Sequence, residues 1–491
     1  MCRTKEGYAC CSPTLAAVGA ALLAVLAGGL GVASWAVPHA LRRALDAGVH
    51  KSFTYEEGSS IFPVWKSDLS ADAPTVHFYM WGGRIWIGPL RFTYATERLN
   101  ITFSEDGDLA TYWLWQYYIP EDAATEALLE QPLNQVYMPS QLWGLQSATD
   151  KTALGLLNAS AVEYGQAYLF RTKTIREVLF GYSDPFVDYL SASARAASPG
   201  ANLPKAFAGI LPNMTTAAEV MNKTGPITQF TGKFTRFRAY EYTEWNGSPT
   251  LRCCAAGPCQ GNPTPAEGPF PAWSSDAANI VRGTYGSQFR QGLQKGDTVY
   301  AFEDNLLRPV ALKNYGGQVV THRGIDTLRF SLDTDLLQNV SLNPANAQWN
   351  MTGPSGLLPV GGCQQGVPVF LSKPHFRDVS PAVPAALSGL TPPSDADETM
   401  LDVEPVTGAT MYAHERLQVS VHLNPNYTCY NASDWLKPGG PASMPCWPAL
   451  RPVYMPIVWV DRWLELSEAN AATYKKHIGV VLEAERVIPY A

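Results

Sequence analysis

Residues 10–38, CCSPTLAAVGAALLAVLAGGLGVASWAVP, form a stretch of 29 residues without a charged side chain. A helix of about 20 apolar residues already crosses the hydrocarbon core of a bilayer, whereas the apolar part of a secretory signal peptide has about 7–15 residues. The length therefore favours a retained transmembrane helix over 12–38, with residues 1–11 as a cytosolic tail. A signal peptide cleaved near Ser34 is the alternative.

Sequons for N-glycosylation indicate on which side of the membrane the rest of the chain lies. Chance placement would give roughly two or three such sites here. The sequence has nine, at Asn100, Asn158, Asn213, Asn222, Asn246, Asn339, Asn350, Asn426 and Asn431. This excess predicts that residues 39–491 face the lumen or the outside of the cell. Chance occurrence in loops rich in Ser and Thr is the alternative.

The cysteines divide into two groups. The first group lies beside the predicted membrane span, where cysteines are candidates for S-acylation, with plain thiols as the alternative; it comprises Cys2, Cys10 and Cys11. The second group is even in number, which in an oxidising compartment predicts disulfides; it comprises Cys253, Cys254, Cys259, Cys363, Cys429 and Cys446. Cys429 and Cys446 flank a loop rich in Gly and Pro, so we expect them to pair. The other four allow three connectivities, and the absence of a CxxC motif argues against a metal site.

Composition points to a β-rich protein that does not bind nucleic acid. The net charge is −7, and no run of Lys or Arg exceeds two residues. A nucleic-acid partner is therefore not expected. Aromatic residues make up 11% of the chain, together with 40 Gly and 38 Pro, a mixture typical of strands joined by turns.

Strand patterns dominate the chain after the N-terminal segment. The stretch RLQVSVHL (416–423) alternates, with Leu and Val on one face and polar residues on the other, which predicts a half-buried strand. GKFTRFRAYEYTEWNG (232–247) is rich in β-formers and ends in Asn-Gly, a hairpin signal. VPVFL (367–371) and PIVWV (456–460) are apolar runs that fit buried strands.

Helical patterns cluster between residues 121 and 182. EDAATEALLE follows Pro120 and has acidic residues in its first turn, as helix starts prefer. In TIREVLFG (174–181), Thr174 and Glu177 fit a capping box, and Gly181 can end the helix. We therefore predict one large antiparallel β domain with a helical insertion over 121–182.

Patterns of known catalytic sites are absent from the sequence. It contains no GxSxG, HExxH or P-loop motif, and its 8 histidines are scattered. We expect neither catalysis nor a cofactor or metal. An enzyme whose active site is assembled from distant residues is the alternative.

Several segments in a fixed order resemble the class B scavenger receptor family, which includes the fatty acid translocase, the lipoprotein scavenger receptor and the lysosomal integral membrane protein. They are GPLRFTY (88–94), ERLNITFSEDG (97–107), TIREVLFGYSDPF (174–186), GVPVFLSKPHFRDVSP (366–381), GLTPP (389–393), TMLDVEPVTGATMYAHERLQVSVHLNP (399–425) and YMPIVWV (454–460). The resemblance runs from the N-terminal hydrophobic segment to about residue 470.

The resemblance implies a lumenal antiparallel β-barrel with a helical bundle at its membrane-distal end and a hydrophobic tunnel. It also implies a non-enzymatic, membrane-anchored receptor at the plasma membrane or in endosomes and lysosomes. Its partners would be lipids (fatty acid, sterol or phospholipid) or lipoprotein particles, and it could form homo-oligomers. The alternative is a trafficking receptor that binds a lumenal hydrolase. Ligand contact is expected within 121–182, where Leu142, Trp143 and Leu145 could form an exposed apolar patch or pack between helices.

The sequence departs from the family pattern in three places. Family members usually carry a second transmembrane helix near the C-terminus, and residues 469–491 contain none, as expected for a truncated chain, a splice form or a single-anchor member. The lysines tied to fatty-acid binding in some members are replaced here by residues 163–166, Glu-Tyr-Gly-Gln. The family's disulfide cysteines are matched only in part, by Cys253 or Cys254 and by Cys363.

Overall fold

A computed structural model gives the architecture, and the chain divides into two compact units. One unit comprises residues 1–52 and 467–491, and the other comprises residues 53–466. The residues described are 3–4, 7–8, 40, 43, 47–59, 61–68, 73–137, 170–197, 206–207, 209–254, 257–258, 270–360, 368–423 and 451–476. Within these ranges, no helix combines the length and apolar character needed to cross a bilayer. The predicted transmembrane helix over 12–38 lies outside them.

The strands in these ranges are numbered in chain order. They are β1 (Arg3–Thr4), β2 (Gly7–Tyr8), β3 (Ser67–Asp68), β4 (Thr75–Trp81), β5 (Trp86–Phe103), β6 (Leu109–Pro120), β7 (Pro132–Val136), β8 (Phe170–Thr174), β9 (Tyr182–Ser183), β10 (Ala206–Phe207), β11 (Ile227–Phe230), β12 (Tyr242–Glu244), β13 (Arg252–Cys254), β14 (Gly257–Pro258), β15 (Phe270–Pro271), β16 (Thr298–Glu303), β17 (Arg308–Lys313), β18 (Val319–His322), β19 (Ile325–Leu332), β20 (Leu358–Pro359), β21 (Val369–Ser372), β22 (Met400–Val403), β23 (Thr410–Leu423) and β24 (Val453–Glu465).

Short helices connect the strands. The α-helices are Phe62–Lys66, Ala123–Leu129, Ile175–Phe180, Pro185–Ala197, Ala217–Lys223, Ala382–Ala385 and Glu468–Tyr474. Single 3-10 turns also occur, including Arg236–Arg238 and Pro374–Phe376.

The larger unit is built on one antiparallel sheet, as the sequence predicts. Hydrogen-bonded neighbours follow the order β12-β11-β6-β5-β4-β24-β23-β22-β19-β17-β16, and β3, β18, β20 and β21 pair with members of this series. The longest strands are β5 with 18 residues and β23 with 14 residues. Long twisted strands of this kind curl a large sheet on itself.

The two end strands of this sheet meet through a single segment at Gly283 and Thr284. On one side, the Tyr242 backbone N–H on β12 donates to the Gly283 carbonyl (2.8 Å). On the other side, Thr284 exchanges hydrogen bonds with β16, donating to the Tyr300 carbonyl (2.9 Å) and accepting from the Phe302 N–H (2.8 Å). The antiparallel sheet is therefore nearly closed.

An aromatic cluster fills one part of the interior. Trp65 stacks on Tyr55 (ring centroids 4.6 Å apart) and meets the edge of Tyr112 (5.3 Å). All three rings are buried, and Tyr240 and Tyr242 belong to the same cluster. Burying large aromatic rings supplies much of the apolar area that stabilises a fold.

The described part of the 121–182 insertion packs on the sheet through a second core cluster. Leu129, Ile175 and Leu179 of the insertion share this cluster with Phe78 and Phe92 of the sheet. The insertion contains two short helices, as predicted, and also a two-stranded ladder in which β7 pairs with β8. Residues 138–169 lie outside the described ranges.

The start of the helix Ile175–Phe180 confirms the predicted capping box. The Thr174 hydroxyl accepts a hydrogen bond from the Glu177 N–H (3.2 Å), and the Glu177 carboxylate accepts one from the Thr174 N–H (2.8 Å). Gly181 follows the last helical residue with φ of 94°. The local sequence therefore fixes both ends of this helix.

The predicted strand at 416–423 is confirmed within β23, but the prediction that one face is solvated is wrong. Gln418 and Ser420 lie on the polar face and are 0% and 1% exposed. The 3-10 turn Pro374–Phe376 covers them, and the His375 N–H donates to the Gln418 side-chain oxygen (2.8 Å). A segment distant in sequence therefore buries the polar face and satisfies its hydrogen bonds.

The predicted strand pair over 232–247 is only partly formed. Asn246 and Gly247 have φ of 52° and 72° and make the predicted turn between Trp245 and Ser248. Positive φ at both central residues is typical of the type I′ hairpin turn. Residues 232–241 are not a strand, however, but a loop with a 3-10 turn at Arg236–Arg238, because Asp108 binds its backbone.

Candidate functional site

A cavity within the sheet of the larger unit has a volume of about 1110 Å³, which includes space open to solvent. Its wall is contributed mainly by strands β16, β17, β19, β23 and β24 and is mostly aliphatic. The apolar lining includes Leu306, Val310, Leu332, Leu336, Leu417 and Leu464. Apolar clefts with a few polar groups are the usual binding sites for small molecules. The sheet therefore surrounds a cavity whose lining suits an apolar ligand.

Strand alternation explains which side chains face this cavity. On β23, Ala413, Glu415 and Leu417 line it, while on β24 Arg462 and Leu464 do so. Residues two apart in a strand point to the same side of the sheet. Each of these alternating sets is thus apolar except for one charged residue, while Arg416 of β23 and Lys373 also border the cavity.

These two charged residues are directly opposite each other. Glu415 on β23 pairs in register with Arg462 on β24, and the Arg462 guanidinium donates a hydrogen bond to the Glu415 carboxylate. The Glu415 side chain is 34% exposed and the Arg462 side chain 26%. Because the surrounding sheet encloses both groups, this exposed surface faces the cavity.

A second acidic residue joins the pair. Glu303 lines the cavity from β16, and its carboxyl group hydrogen-bonds that of Glu415. Burial, together with the repulsion from Glu303, raises the pKa of Glu415 to about 8. Burial also raises the pKa of Glu303 and of its neighbour Asp304. Two carboxyl groups therefore line the cavity beside the Arg462 guanidinium, with Asp304 next to them in the chain, and burial favours the protonated forms of all three.

Arg462 stays charged in this setting. Burial alone would lower its pKa, but Glu415, Glu303 and nearby phenols outweigh that effect and hold the pKa well above its usual value. Its Cζ atom lies 5.3 Å from the ring centre of Tyr94 and 5.8 Å from that of Tyr285. The Tyr285 hydroxyl donates to the Tyr94 hydroxyl (2.9 Å). The polar end of the cavity thus contains a cation, carboxyl groups and two phenols.

Tyr285 connects this polar group to the aromatic cluster. The Cζ atom of Arg98, which is 5% exposed, lies 5.6 Å from the Tyr285 ring centre and 5.0 Å from that of Trp65. Arg98 donates to the Trp65 carbonyl. The Tyr285 ring is therefore in cation–π range of two arginines, and each such contact gains strength when water is excluded.

A smaller cavity of about 500 Å³ lies between the 121–182 insertion and the sheet. Val419 and Ile457 of the sheet form its apolar side, and Arg171 and Lys173 on β8 line it as well. The Lys173 ammonium lies 3.8 Å from the Tyr182 ring centre. Leu417 lines the larger cavity and Val419 the smaller one, so the two cavities follow each other along the same face of β23.

Several predicted site residues lie outside the described ranges. They are the proposed contact residues Leu142, Trp143 and Leu145, the sequons Asn158, Asn426 and Asn431, and the cysteines Cys2, Cys10, Cys11, Cys259, Cys363, Cys429 and Cys446. Cys253 is buried and disulfide-bonded, and Cys254 follows it on β13. In the part of the chain that the structure describes, no group of acidic, His or Cys side chains could hold a metal ion.

The six remaining sequons differ in how accessible their asparagines are. Four are exposed, at Asn100, Asn213, Asn222 and Asn350. Asn246 and Asn339 are half-buried, and both amide side chains already bind the backbone. The Asn246 side-chain oxygen accepts from the Gly225 N–H (3.1 Å), and that of Asn339 accepts from the Ser341 N–H (3.0 Å).

The charged residues of the cavity were not predicted from the sequence, although a signal for them exists. The apolar alternation of RLQVSVHL, extended two residues towards the N-terminus, places Glu415 on the same face as Leu417 and Val419. PIVWV, extended in the other direction, places Arg462 on the face of Val458 and Val460. A charged residue within an apolar face indicates a buried polar site, and two of them with opposite charge indicate a pair.

Comparison with known proteins adds independent information. The sequence model of the CD36 family matches residues 86–491. Scavenger receptor class B member 1 of Rattus norvegicus is 26% identical over 386 residues, which cover 76% of this chain and 65% of the receptor. Lysosome membrane protein 2 is 21% identical in both Rattus norvegicus and Homo sapiens, over 470 and 483 residues, and each match covers 92% of this chain and 87% of the relative. By their names, these relatives are a receptor and a membrane protein of the lysosome.

Proposed function

This chain belongs to the CD36 family, and from this premise we propose that it is a membrane-anchored scavenger-type receptor that binds lipid in the cavity within its sheet. The observation that carries the proposal is the largely aliphatic lining of the cavity within the sheet. Residues 12–38 would provide the anchor, and residues 39–491 would lie in the lumen or outside the cell. Lipid or lipoprotein particles would be its partners at the plasma membrane or in endosomes and lysosomes.

The energetics of apolar burial support a lipid as the ligand. Each methylene transferred from water gains about 0.8 kcal/mol, so about ten methylenes gain roughly 8 kcal/mol before the cost of ordering the chain. A wall of Leu and Val side chains makes this gain available without any catalytic group. The apolar wall therefore accounts for affinity, and the polar end accounts for orientation.

The polar end offers a specific place for the head of such a ligand. Arg462, Glu415 and Glu303 provide hydrogen-bond donors and acceptors to a group that enters the cavity. An incoming carboxylate could pair with the charged Arg462 guanidinium and accept hydrogen bonds from the protonated carboxyl groups, whereas a hydroxyl group could bind either kind of partner. We infer that this end of the cavity binds the polar head group of a lipid.

The arrangement of the two cavities supports passage of lipid along the sheet. They follow each other along the inner face of β23, from Leu417 to Val419. A ligand that moved between them would pass from the 121–182 insertion into the sheet interior. This geometry is the form that the expected hydrophobic tunnel would take here.

Lipid extraction tests the proposal directly. The full chain, purified in detergent from a glycosylating host, should release a co-purifying lipid that mass spectrometry identifies. It should also take up labelled sterol or labelled fatty acid after delipidation. A preparation that contains no lipid and takes up neither probe would contradict the proposal.

A trafficking receptor for a lumenal hydrolase is the second candidate. Its support is the match to lysosome membrane protein 2, which covers 87% of that relative. Pull-down of lumenal proteins with the glycosylated full chain, followed by elution at acidic pH, separates the two candidates. Recovery of a hydrolase by a lipid-free chain would favour this alternative.

A further inference from the structure

The loop 232–238, with sequence GKFTRFR, presents two phenylalanines to solvent. Phe234 is 66% exposed and Phe237 is 83% exposed. We call this segment the aromatic loop. Exposed aromatic rings next to charged side chains are typical of surfaces that bind a protein or enter a membrane interface.

The aromatic loop is held in this conformation by buried partners. The Asp108 carboxylate is 8% exposed and accepts hydrogen bonds from the N–H groups of Phe234 (2.8 Å) and Thr235 (3.2 Å), as well as from the Thr235 hydroxyl. Ala239 and Tyr240, which follow the loop, are buried. Both ends are thus fixed, and the exposure of the two rings is a property of the folded loop.

The position of the aromatic loop suggests which partner it meets. The Tyr240 hydroxyl donates to the Phe53 carbonyl (2.7 Å), and the Tyr55 N–H donates to the Thr231 carbonyl (3.0 Å). Phe53 is the first residue of the sheet unit, and 14 residues, 39–52, separate it from the hydrophobic segment that ends at Pro38. Residues 47–53 are helical, and fourteen residues span about 21 Å as a helix. The loop therefore lies where a short tether enters the unit.

The charges near the aromatic loop are balanced. The Lys233 ammonium lies 3.8 Å from a carboxylate oxygen of Glu56. The Arg238 guanidinium lies 3.0 Å from a carboxylate oxygen of Glu241. Glu57 follows Glu56 in the chain, and Glu105 and Asp106 belong to the same turn as Asp108, so acidic residues accompany these pairs. The surface is not a cationic patch, so any attraction to a membrane must come from the rings.

We propose that the aromatic loop inserts Phe234 and Phe237 into the interface of the phospholipid bilayer that holds the N-terminal segment. The contact rests on the proposed anchorage by residues 12–38. It would fix the orientation of the sheet unit on the membrane, because the tether enters at one point and the loop adds a second. The contact depends on the rings and needs no anionic lipid.

Site-specific photo-crosslinking tests this contact. The full chain would carry p-benzoylphenylalanine in place of Phe234, Phe237 or Ile85 and would be reconstituted into phosphatidylcholine liposomes. Ile85 is the matched control, because it is 65% exposed and follows Trp81 in the β4–β5 hairpin, at the opposite end of β5 from the 104–108 turn that contains Asp108. Phospholipid adducts, measured by mass spectrometry, should be several-fold more abundant at 234 and 237 than at 85. Equal yields, or adducts to a second copy of this chain in place of lipid, would overturn the proposal.

Three further measurements distinguish this proposal from its premise, from binding to anionic lipid and from a structural role. Carbonate extraction of the same liposomes reports anchorage: a retained chain with equal adduct yields contradicts only the loop contact, whereas a released chain contradicts both. The yields at 234 and 237 should not change when phosphatidylserine is included, and adducts that form only with phosphatidylserine would overturn the role of the rings. The double variant Phe234→Ser, Phe237→Ser should keep the Tm of the wild type, and a large fall would indicate a structural role instead.

Discussion

Glu415 and Arg462 are direct cross-strand partners whose side chains both face the cavity, although 47 positions separate them in the chain. Neighbouring inward positions on the two strands are Ala413, Leu417 and Leu464. Charged groups in an enclosed site are costly unless they are paired and hydrogen-bonded. Arg462 and Glu303 together satisfy Glu415, and the resulting cluster gives the cavity its polar end.

The pKa of Glu415 makes the stability of the sheet unit depend on pH. Its folded pKa is about 8 against an ordinary value of 4.5. The folded chain therefore keeps this proton in a range where the unfolded chain has lost it, and the associated stability is lost as the pH rises from about 4.5 to about 8. Compared with wild type, Glu415→Gln should thus gain in Tm as the pH is raised from acidic to alkaline values.

In the difference in Tm between variant and wild type, the contributions of the other titrating groups cancel. Burial lowers the pKa of His77 and His422, so below about pH 6.5 these two groups make stability rise with pH, which is the opposite of the effect of Glu415. These groups are present in both proteins, so the difference in Tm reports Glu415 and its coupling to Glu303. Differential scanning fluorimetry across the pH range measures it. A constant difference would show that Glu415 titrates normally.

Filling the cavity should block lipid uptake. Leu417→Trp adds volume at an inward position of β23, and it should lower the uptake of labelled sterol several-fold with a modest cost in stability, about 1–3 kcal/mol for overpacking. Leu342→Trp is the control, because Leu342 is 65% exposed. Uptake that is equal in both variants would place the lipid elsewhere.

The same cavity makes a prediction about selectivity. Arg462→Gln removes the guanidinium from the polar end and should lower the uptake of labelled fatty acid relative to labelled sterol, because a carboxylate head group would lose its cationic partner. Competition between the two probes in delipidated protein measures the ratio. A ratio that does not change, or changes towards fatty acid, would show that Arg462 does not bind the head group.

Closure of the sheet depends on the absence of a side chain at Gly283. Its φ is 99°, and a Cβ atom there would lie 2.9 Å from the Ala301 carbonyl carbon. Gly286 is a matched control with φ of 94° and open space around it. Both Gly→Ala variants should lose about 1–2 kcal/mol through backbone strain, and Gly283→Ala should lose more because of the clash. Urea unfolding measures both, and equal losses would show that the segment can move aside.

Tyr285 should contribute to the stability of the fold chiefly through its aromatic ring and less through its hydroxyl group. Tyr285→Phe removes only the hydrogen bond to Tyr94, at about 0.5–1.5 kcal/mol. Tyr285→Ala also removes the ring that lies near Arg98 and Arg462, so a loss of about 3–5 kcal/mol is expected. The free energy of unfolding in urea distinguishes the two. Similar values for both variants would show that the hydroxyl carries the effect.

The strand and helix predictions that succeeded were those determined by local sequence. The capping box of Thr174 and Glu177 and the turn at Asn246 and Gly247 each lie within a few residues of chain. The strand at 416–423 was evident from its alternation. Such features form because neighbouring residues satisfy one another's backbone groups.

The predictions that failed depended on residues far apart in the chain. Asp108 lies 126 positions before Phe234 and binds the backbone of a segment that would otherwise favour a strand. The 3-10 turn at Pro374–Phe376 buries Gln418, which the alternation alone places in solvent. The polar end of the cavity required the register of β23 against β24, which no single segment contains.

Closure through Gly283 and Thr284 has a consequence for solubility. An unpaired strand at the border of a sheet offers free N–H and C=O groups to any other polypeptide, and this is how many β proteins polymerise. In this protein, the segment 283–284 already binds some of the N–H and C=O groups on the border strands β12 and β16. With charged residues at only 16% of the composition, there is little electrostatic repulsion to keep copies apart. Closure at Gly283 and Thr284 therefore leaves less of the sheet border open to strand addition in the folded protein.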